Sequence, residues 1–280
     1  MAVLTLLAPA KLNLFLHING KRADGYHELE TLFTLLDFGD ELTFEHNDSG
    51  AVTIDGAPSD IILEDNLIYK AAQMLRPYTV ATAGAQIVLK KRLPMGGGVG
   101  GGSSDAATTL LALNALWNCQ LSVSELANLG VKLGADVPVF VRGVSAHAQG
   151  IGENLLPVSL SEKFYLVVSP GVHVSTAAIF GHPDLPRDTP KLTEGWSMEN
   201  TRNDCEVLVK KLYPEVEKTL EWLLKYAPSK MTGTGACCFA EFTSREAAER
   251  VLQTLPENWQ GFVAKSVSCS PVHKQLNIPL

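Results

Sequence analysis

The sequence predicts an α+β fold in two domains, divided at about residues 1–155 and 156–280. Three observations carry that reading. Strand-like and helix-like patterns are mixed along the 280 residues without a long βαβαβ series. The texture changes after residue 155, where Pro183, Pro186 and Pro190 break the regular patterns. Six of the seven residues from Gly96 to Gly102 are glycine, and a strand pattern and a helix pattern frame them.

The first strand runs through Lys11–Asn19, where alternation sets Leu12, Leu14, Leu16 and Ile18 on one face and Lys11, Asn13, Phe15 and His17 on the other. Residues 29–36 and 41–45 read as two further strands joined by a turn at Asp37-Phe-Gly-Asp40. A helix follows with Asp65 as its N-cap and Ile68, Ala71, Ala72 and Leu75 at helical spacing. Residues 85–91 form a strand that leads into the glycines. Ser103 or Ser104 then caps a helix, and residues 124–133 form another, stopped by Gly134.

In the second half, residues 164–169 read as a strand, 204–213 and 214–226 as helices, and 237–242 as a strand. Pro214 suits a first helical position. Thr243 and Glu246 make a capping box for a helix through Leu255, and residues 261–268 close with a strand.

Composition narrows the function. The hydrophobic fraction is 46% and the charged fraction 19%, as expected of a soluble globular protein with real cores. A net charge of −7 excludes a broad basic surface for nucleic acid, so local geometry must hold any bound anion. The five cysteines are odd in number and lack metal-finger spacing, which points to reduced thiols in the cytoplasm. No apolar run is long enough to span a membrane. Ala2 to Ala10 is apolar and ends in Ala-Pro-Ala, but its first basic residue, Lys11, follows the apolar stretch instead of preceding it, so the segment reads as strand and not as a secretion signal.

Glycine loses the most backbone freedom on folding, so six glycines make sense where main-chain N–H groups must close on a ligand. The helix that follows adds free N–H groups and a dipole that favour an anion. Strand, glycine loop and helix start together predict a phosphate site. The Walker form G-x-x-x-x-G-K-[ST] is absent, because no lysine follows the glycines. The G-x-G-x-x-G of dinucleotide sites is met by Gly96, Gly98 and Gly101, a weak match in so glycine-rich a segment.

Three segments resemble the motifs of the GHMP kinases, which phosphorylate galactose, homoserine and mevalonate-type alcohols: residues 9–14 (Pro-Ala-Lys-Leu-Asn-Leu), 94–104 and 232–236 (Thr-Gly-Thr-Gly-Ala). Residues 23–28, 64–67, 91–94 and 133–138 further resemble the branch that acts on a cytidine diphosphate-linked methylerythritol in the non-mevalonate isoprenoid route. The likeness runs in order from about residue 8 to about residue 270. It implies an N-terminal domain like the second domain of ribosomal protein S5 and a ferredoxin-like C-terminal domain, with the site between them. It also implies ATP, Mg²⁺ and phosphoryl transfer to the 2-hydroxyl of the methylerythritol unit.

The resemblance also implies residue roles. Asp136 takes the proton of the attacking hydroxyl, and Lys11 beside it steadies charge on the phosphoryl group. Pro94, Met95, Gly96, Gly97, Gly98, Val99, Gly100, Gly101, Gly102, Ser103 and Ser104 hold the nucleotide phosphates, while Asn66 and Lys91 contact adenine or its flanking backbone. Asn13 bonds the acceptor, Tyr26 and Phe180 stack on cytosine, His27 bonds its polar edge, and Gly233 and Gly235 shape the diphosphate pocket. Ser104 or Asp105 would touch Mg²⁺; an aspartate there also simply suits a helix first turn, so no metal ligand is assigned. The chain is expected to be a cytoplasmic monomer or weak homodimer with a small-molecule substrate and neither nucleic-acid nor membrane partner. Three alternatives stay open: another GHMP kinase, a nicotinamide-dependent oxidoreductase, and a non-catalytic RNA- or protein-binding module.

Overall fold

Two long strands, β1 (Val3–Lys21) and β2 (His27–Asn47), form the frame of the computed structural model, which describes residues 3–59, 61–193, 195–197 and 199–279. In chain order there follow β3 (Val52–Asp55), α1 (Leu67–Met74), β4 (Gly84–Lys90), α2 (Gly101–Leu116), α3 (Val123–Val131), α4 (Val137–Arg142), β5 (Ala146–Gly150) and β6 (Asn154–Pro157). The second half supplies β7 (Phe164–Ser169), α5 (Thr176–Gly181), α6 (Glu206–Leu212), α7 (Pro214–Leu223), β8 (Ser229–Met231), β9 (Cys238–Phe242), α8 (Arg245–Leu252), β10 (Gln260–Val267) and α9 (Pro271–Leu276).

Strand β2 organises the sheet because different stretches of it pair with different partners. Its first third pairs with β5, its last third with β4, and Leu35 and Leu36 meet the end of β10, while β1 runs antiparallel along its length. Through β10 the sheet continues to β7, β9 and β8. Strands β3 and β4 pair in parallel, and α1 lies in the connection between them, as a parallel crossover requires.

The expected turn at 37–40 does not exist; β2 runs straight through it. Gly39 lies opposite Pro9, where a Cβ would overlap the Ala8 carbonyl, so the glycine permits close strand approach. The flanking aspartates are anchors. Asp37 accepts from the Lys265 amide and pairs with Arg245, while Asp40 accepts from the amides of Arg92 and Leu93.

The predicted alternation of β1 also fails partway. A bulge between Asn13 and Phe15 reverses the faces, so Lys11 and Asn13 stay neighbours but Phe15 turns into the core. Several caps move by a residue or more. Asn66, not Asp65, caps α1; Ser122 with Glu125 caps α3; Ser244, not Thr243, caps α8. Gly100, with φ of 77°, precedes α2, so Ser103 and Ser104 both lie inside that helix.

Three apolar clusters hold the molecule together. One fills the space between β1, β2, β4 and the helices α1 to α4, and also takes Val272 of α9. Another packs α6, α7 and α8 on β7 to β9. The third joins the two halves of the chain: Leu12, Leu14, Phe15 and Val99 meet Tyr165, Val167, Cys237, Phe239 and Phe262. Burying each such side chain contributes about 1.5–3 kcal/mol, so this seam fixes the glycine loop relative to the C-terminal strands. All five cysteines are free thiols, and burial pushes Cys205 and Cys237 up to about 12. Among the described residues no helix is long and apolar enough to cross a membrane.

Candidate active site

The glycine loop leaves β4 and is tied down by its carbonyls. Val99, buried in the seam, accepts from the Lys11 amide at 2.9 Å; Gly97 accepts from the Cys237 amide at 3.1 Å; Gly98 accepts from the Thr232 hydroxyl at 3.3 Å. Among the described residues no main-chain N–H from Met95 to Ser103 donates to the protein. The loop therefore spends its carbonyls on the fold and keeps its amides free, directly before the N-terminus of the 16-residue helix α2. Positive φ at Gly96, Gly98 and Gly100 produces this arrangement, which side-chain-bearing residues rarely adopt.

These amides line a cleft of about 380 Å³ together with Pro94, Met95, Asn66 and Lys91. A second cavity, about 280 Å³, adjoins it and is lined by Lys11, Asn13, Thr31, Phe180, Gly233 and Thr234. Gly98, Ser103, Asp136 and Thr176 border both. Lys11 and Asp136 therefore stand where the cavities meet.

Asp136 is the residue before α4, and its side chain makes no capping bond. The carboxylate is one-third exposed and lies 3.2 Å from the buried Lys11 ammonium. Lys11 also donates to Asn13 Oδ1, and Asn13 donates from Nδ2 to Thr31. This chain fixes the ammonium over the cavity floor, 5.3 Å from the centre of the Phe33 ring.

Lys91, expected at the adenine end, is paired within the protein. Its ammonium is held by Asp40 at 2.5 Å and Asp105 at 2.9 Å, and Arg92 stacks over Phe38 at 4.2 Å. Burial pushes the Asp105 carboxyl up to about 7, against the pull of Lys91 and with the added push of Asp40. Asn66 spends its Oδ1 capping α1 through the Ile68 amide at 2.9 Å, although the residue also lines the cleft.

Gly233 and Gly235 sit in the tight loop between β8 and β9, with φ of 57° and 85°. Gly233 lies against the Gly98 backbone and close to the Asn13 amide oxygen, which brings the second glycine loop against the first. Tyr26 is 61% exposed at the β1–β2 turn. His27 is buried, its ring centre 5.1 Å from that of Phe180 and inclined 33° to it. Burial, with help from the charges of Arg187 and Lys21, depresses the His27 pKa.

Sequence reasoning missed Thr31, Thr176 and Thr234, which line the second cavity, with Thr176 and Thr234 hydroxyls 2.9 Å apart. It also missed Asp40 and Arg187. Threonines carry no motif signal of their own, and Asp40 lies in a segment that imitates a turn.

A loop of free amides opening onto a lysine–aspartate pair at the mouth of a second pocket is an arrangement suited to one class, the small-molecule kinases. Residues 66–144 match the GHMP kinases N terminal domain and residues 185–261 the GHMP kinases C terminal domain. The chain is 63% identical over 272 residues to the 4-diphosphocytidyl-2-C-methyl-D-erythritol kinase of Pseudoalteromonas translucida, covering 97% of this chain and 96% of the relative. It is 60% identical to the same kinase of Tolumonas auensis over 95% and 94% of the two chains. A crystal structure of 4-(cytidine 5'-diphospho)-2C-methyl-D-erythritol kinase superposes with a TM-score of 0.83 at 33% identity, over 94% of this chain and 99% of that one. The chain belongs to the 4-diphosphocytidyl-2-C-methyl-D-erythritol kinase family, within the GHMP kinases, and has their two-domain fold. It is an ATP-using kinase of a small molecule, which removes the oxidoreductase and binding-module alternatives.

Proposed function

We propose that the chain transfers the γ-phosphoryl group of ATP to the 2-hydroxyl of 4-diphosphocytidyl-2-C-methyl-D-erythritol, giving the 2-phosphate and ADP in the non-mevalonate isoprenoid route. The observation that carries this reading is the Lys11–Asp136 pair at the junction of the two cavities, one lined by free amides and the other by polar groups of β1, β2 and the Gly233 loop. ATP lies in the first cavity with its phosphates on residues 94–104; Asn66 and the stem of Lys91 border the adenine end. The acceptor lies in the second, its hydroxyl against Asn13 and Asp136.

Asp136 accepts the hydroxyl proton as the oxygen attacks phosphorus, and the Lys11 ammonium meets the charge spread over the phosphoryl oxygens. The phosphoryl transition state is loose, so positioning and charge stabilisation matter more than a strong base. Gly233 and Gly235 let the backbone close on the substrate diphosphate, while Tyr26, His27 and Phe180 receive the cytosine.

Mg²⁺, when bound, would supply positive charge to offset that of the ATP phosphates. Among the described residues no three acidic, histidine or cysteine groups cluster as a metal cage. The Ser104 hydroxyl and one Asp105 oxygen are buried at the α2 N-terminus without hydrogen-bond partners, and these two would hold the ion. The division at 155/156, a cytoplasmic location, a monomer or weak homodimer, and the lack of nucleic-acid and membrane partners belong to the same reading; the net charge of −7 and the five free thiols support it.

The test is ADP release with the CDP-linked methylerythritol, homoserine, mevalonate or galactose, each offered alone. Turnover with the first only is expected; preference for any of the other three sinks the substrate assignment.

A further inference from the structure

The base-binding corner contains one residue that no motif singles out. Arg187, in the irregular segment between α5 and α6, donates from Nε to His27 Nε2 at 2.9 Å. Its Nη2 donates to the carbonyls of Phe180 (2.9 Å) and His182 (2.8 Å), and its Nη1 to that of Leu185 (2.9 Å). One guanidinium thus holds both the histidine and the C-terminal end of α5, which carries Phe180.

A guanidinium has only donors and stays protonated in proteins. The nitrogen that faces it must therefore present a lone pair. His27 Nε2 is that nitrogen, so in the neutral ring the hydrogen sits on Nδ1. Burial and the neighbouring Arg187 charge keep the ring neutral. Nδ1 has no hydrogen-bond partner among the described residues.

We propose that Arg187 is a positioning residue that sets base specificity: it locks His27 in the Nδ1–H tautomer, so the ring offers an incoming base a donor and never an acceptor. This inference rests on the cytidine reading given above. The N3 atom of cytosine is an acceptor and complements such a donor, whereas O2 accepts in both pyrimidines and does not discriminate. Uracil carries a hydrogen on N3, and two facing donors leave a buried polar group unpaired, which is the costly kind of mismatch. Arg187 therefore selects cytosine over uracil without touching either.

Two measurements on the full-length protein test this. Long-range ¹H–¹⁵N NMR of the free protein reads the His27 tautomer: Nδ1–H is expected in the wild type, with Nε2–H gaining in Arg187→Met. Kinetics with CDP-linked and UDP-linked methylerythritol read the consequence. Arg187→Met is expected to lose at least tenfold of the CDP-over-UDP ratio in kcat/KM, through KM for the CDP compound, with kcat within about twofold. Arg187→Lys, whose ammonium also only donates, should recover part of the ratio. Should Arg187→Met not fold, Arg187→Gln, whose amide can accept as well as donate, is the second release variant. Equal losses for both nucleotides would show a structural role only and overturn the proposal, as would an unchanged tautomer. A wild-type enzyme inert toward both compounds would instead sink the substrate reading, and the spectrum alone would then decide whether Arg187 sets the tautomer.

Discussion

The Thr232 hydroxyl stands 2.9 Å from the Asn13 amide and 3.3 Å from the Gly98 carbonyl, so one side chain of the C-terminal half touches both β1 and the glycine loop. The two halves of the site are set in register by this contact and by the Cys237–Gly97 hydrogen bond.

That contact separates two glycines that look equivalent in the sequence. A Cβ on Gly98 would overlap the Thr232 carbonyl, and the φ of 75° is strained for any other residue. Gly98→Val is expected to lose about 2 kcal/mol or more of stability, read as a fall in thermal midpoint, along with activity. Gly102 is exposed in the first turn of α2, and a Cβ there meets only Leu67 Cδ1 at 3.4 Å. Gly102→Ala should keep or gain stability, by up to about 1 kcal/mol, while raising the KM for ATP. An unchanged ATP KM in Gly102→Ala counts against amides of the α2 N-terminus as the phosphate site.

Among the described residues the Asp136 side chain caps nothing and pairs only with Lys11, so replacing it costs chemistry before structure. Asp136→Asn should lower kcat by roughly 10²–10⁴ and leave ATP binding, followed by calorimetry, within a fewfold of wild type. A variant that retains a tenth of the wild-type kcat would remove the aspartate from proton transfer.

Asp40 is fully buried and satisfies three donors: the Lys91 ammonium and the amides of Arg92 and Leu93. Asp40→Ala removes the acceptor of the Arg92 and Leu93 amides, of which the second bond is buried, and leaves the Lys91 ammonium with Asp105 alone, each loss costing about 1–3 kcal/mol. Chemical denaturation should show a loss of at least about 3 kcal/mol, with Asp40→Asn much milder because its oxygen still accepts. Equal losses in the two variants would argue against the hydrogen bonds as the source.

Asp105 gives a pH prediction for the ligand-free protein. Its carboxyl, raised from 3.8 to about 7 by burial, keeps a proton in the folded state that the unfolded chain releases near pH 4. Its contribution is therefore fully present below about pH 4 and is lost as pH rises through 7. Thermal midpoints of wild type and Asp105→Asn, compared from pH 5 to 8, should diverge in favour of the variant toward pH 8. Parallel curves would show that Asp105 titrates as an ordinary carboxylate.

Much of the site is legible in the residues alone. A glycine run between strand and helix points to free amides whatever surrounds it, and Lys11 and Asn13 lie two residues apart on a strand, so they face one way. The flaws come from segments where local rules compete with distant partners. Asp37-Phe-Gly-Asp40 has every mark of a turn, yet its aspartates are claimed by Lys265, Arg245, Arg92 and Leu93, and its glycine by a neighbouring strand. The bulge after Asn13 inverts an alternation that looks regular in one dimension, because the register follows β2.

The sequence by itself determined most helical and strand patterns and the glycine loop, since these depend on residue type and near spacing, while the lysine and aspartate were singled out by the resemblance of their motifs to the GHMP kinases. Tertiary structure alone decided that Lys11 and Asp136, 125 positions apart in the numbering, stand 3.2 Å apart, that Lys91 is held between Asp40 and Asp105, and that Arg187 reaches His27. Those relationships arise from long-range packing of the seam between the two halves of the chain, which local propensities along the chain do not encode.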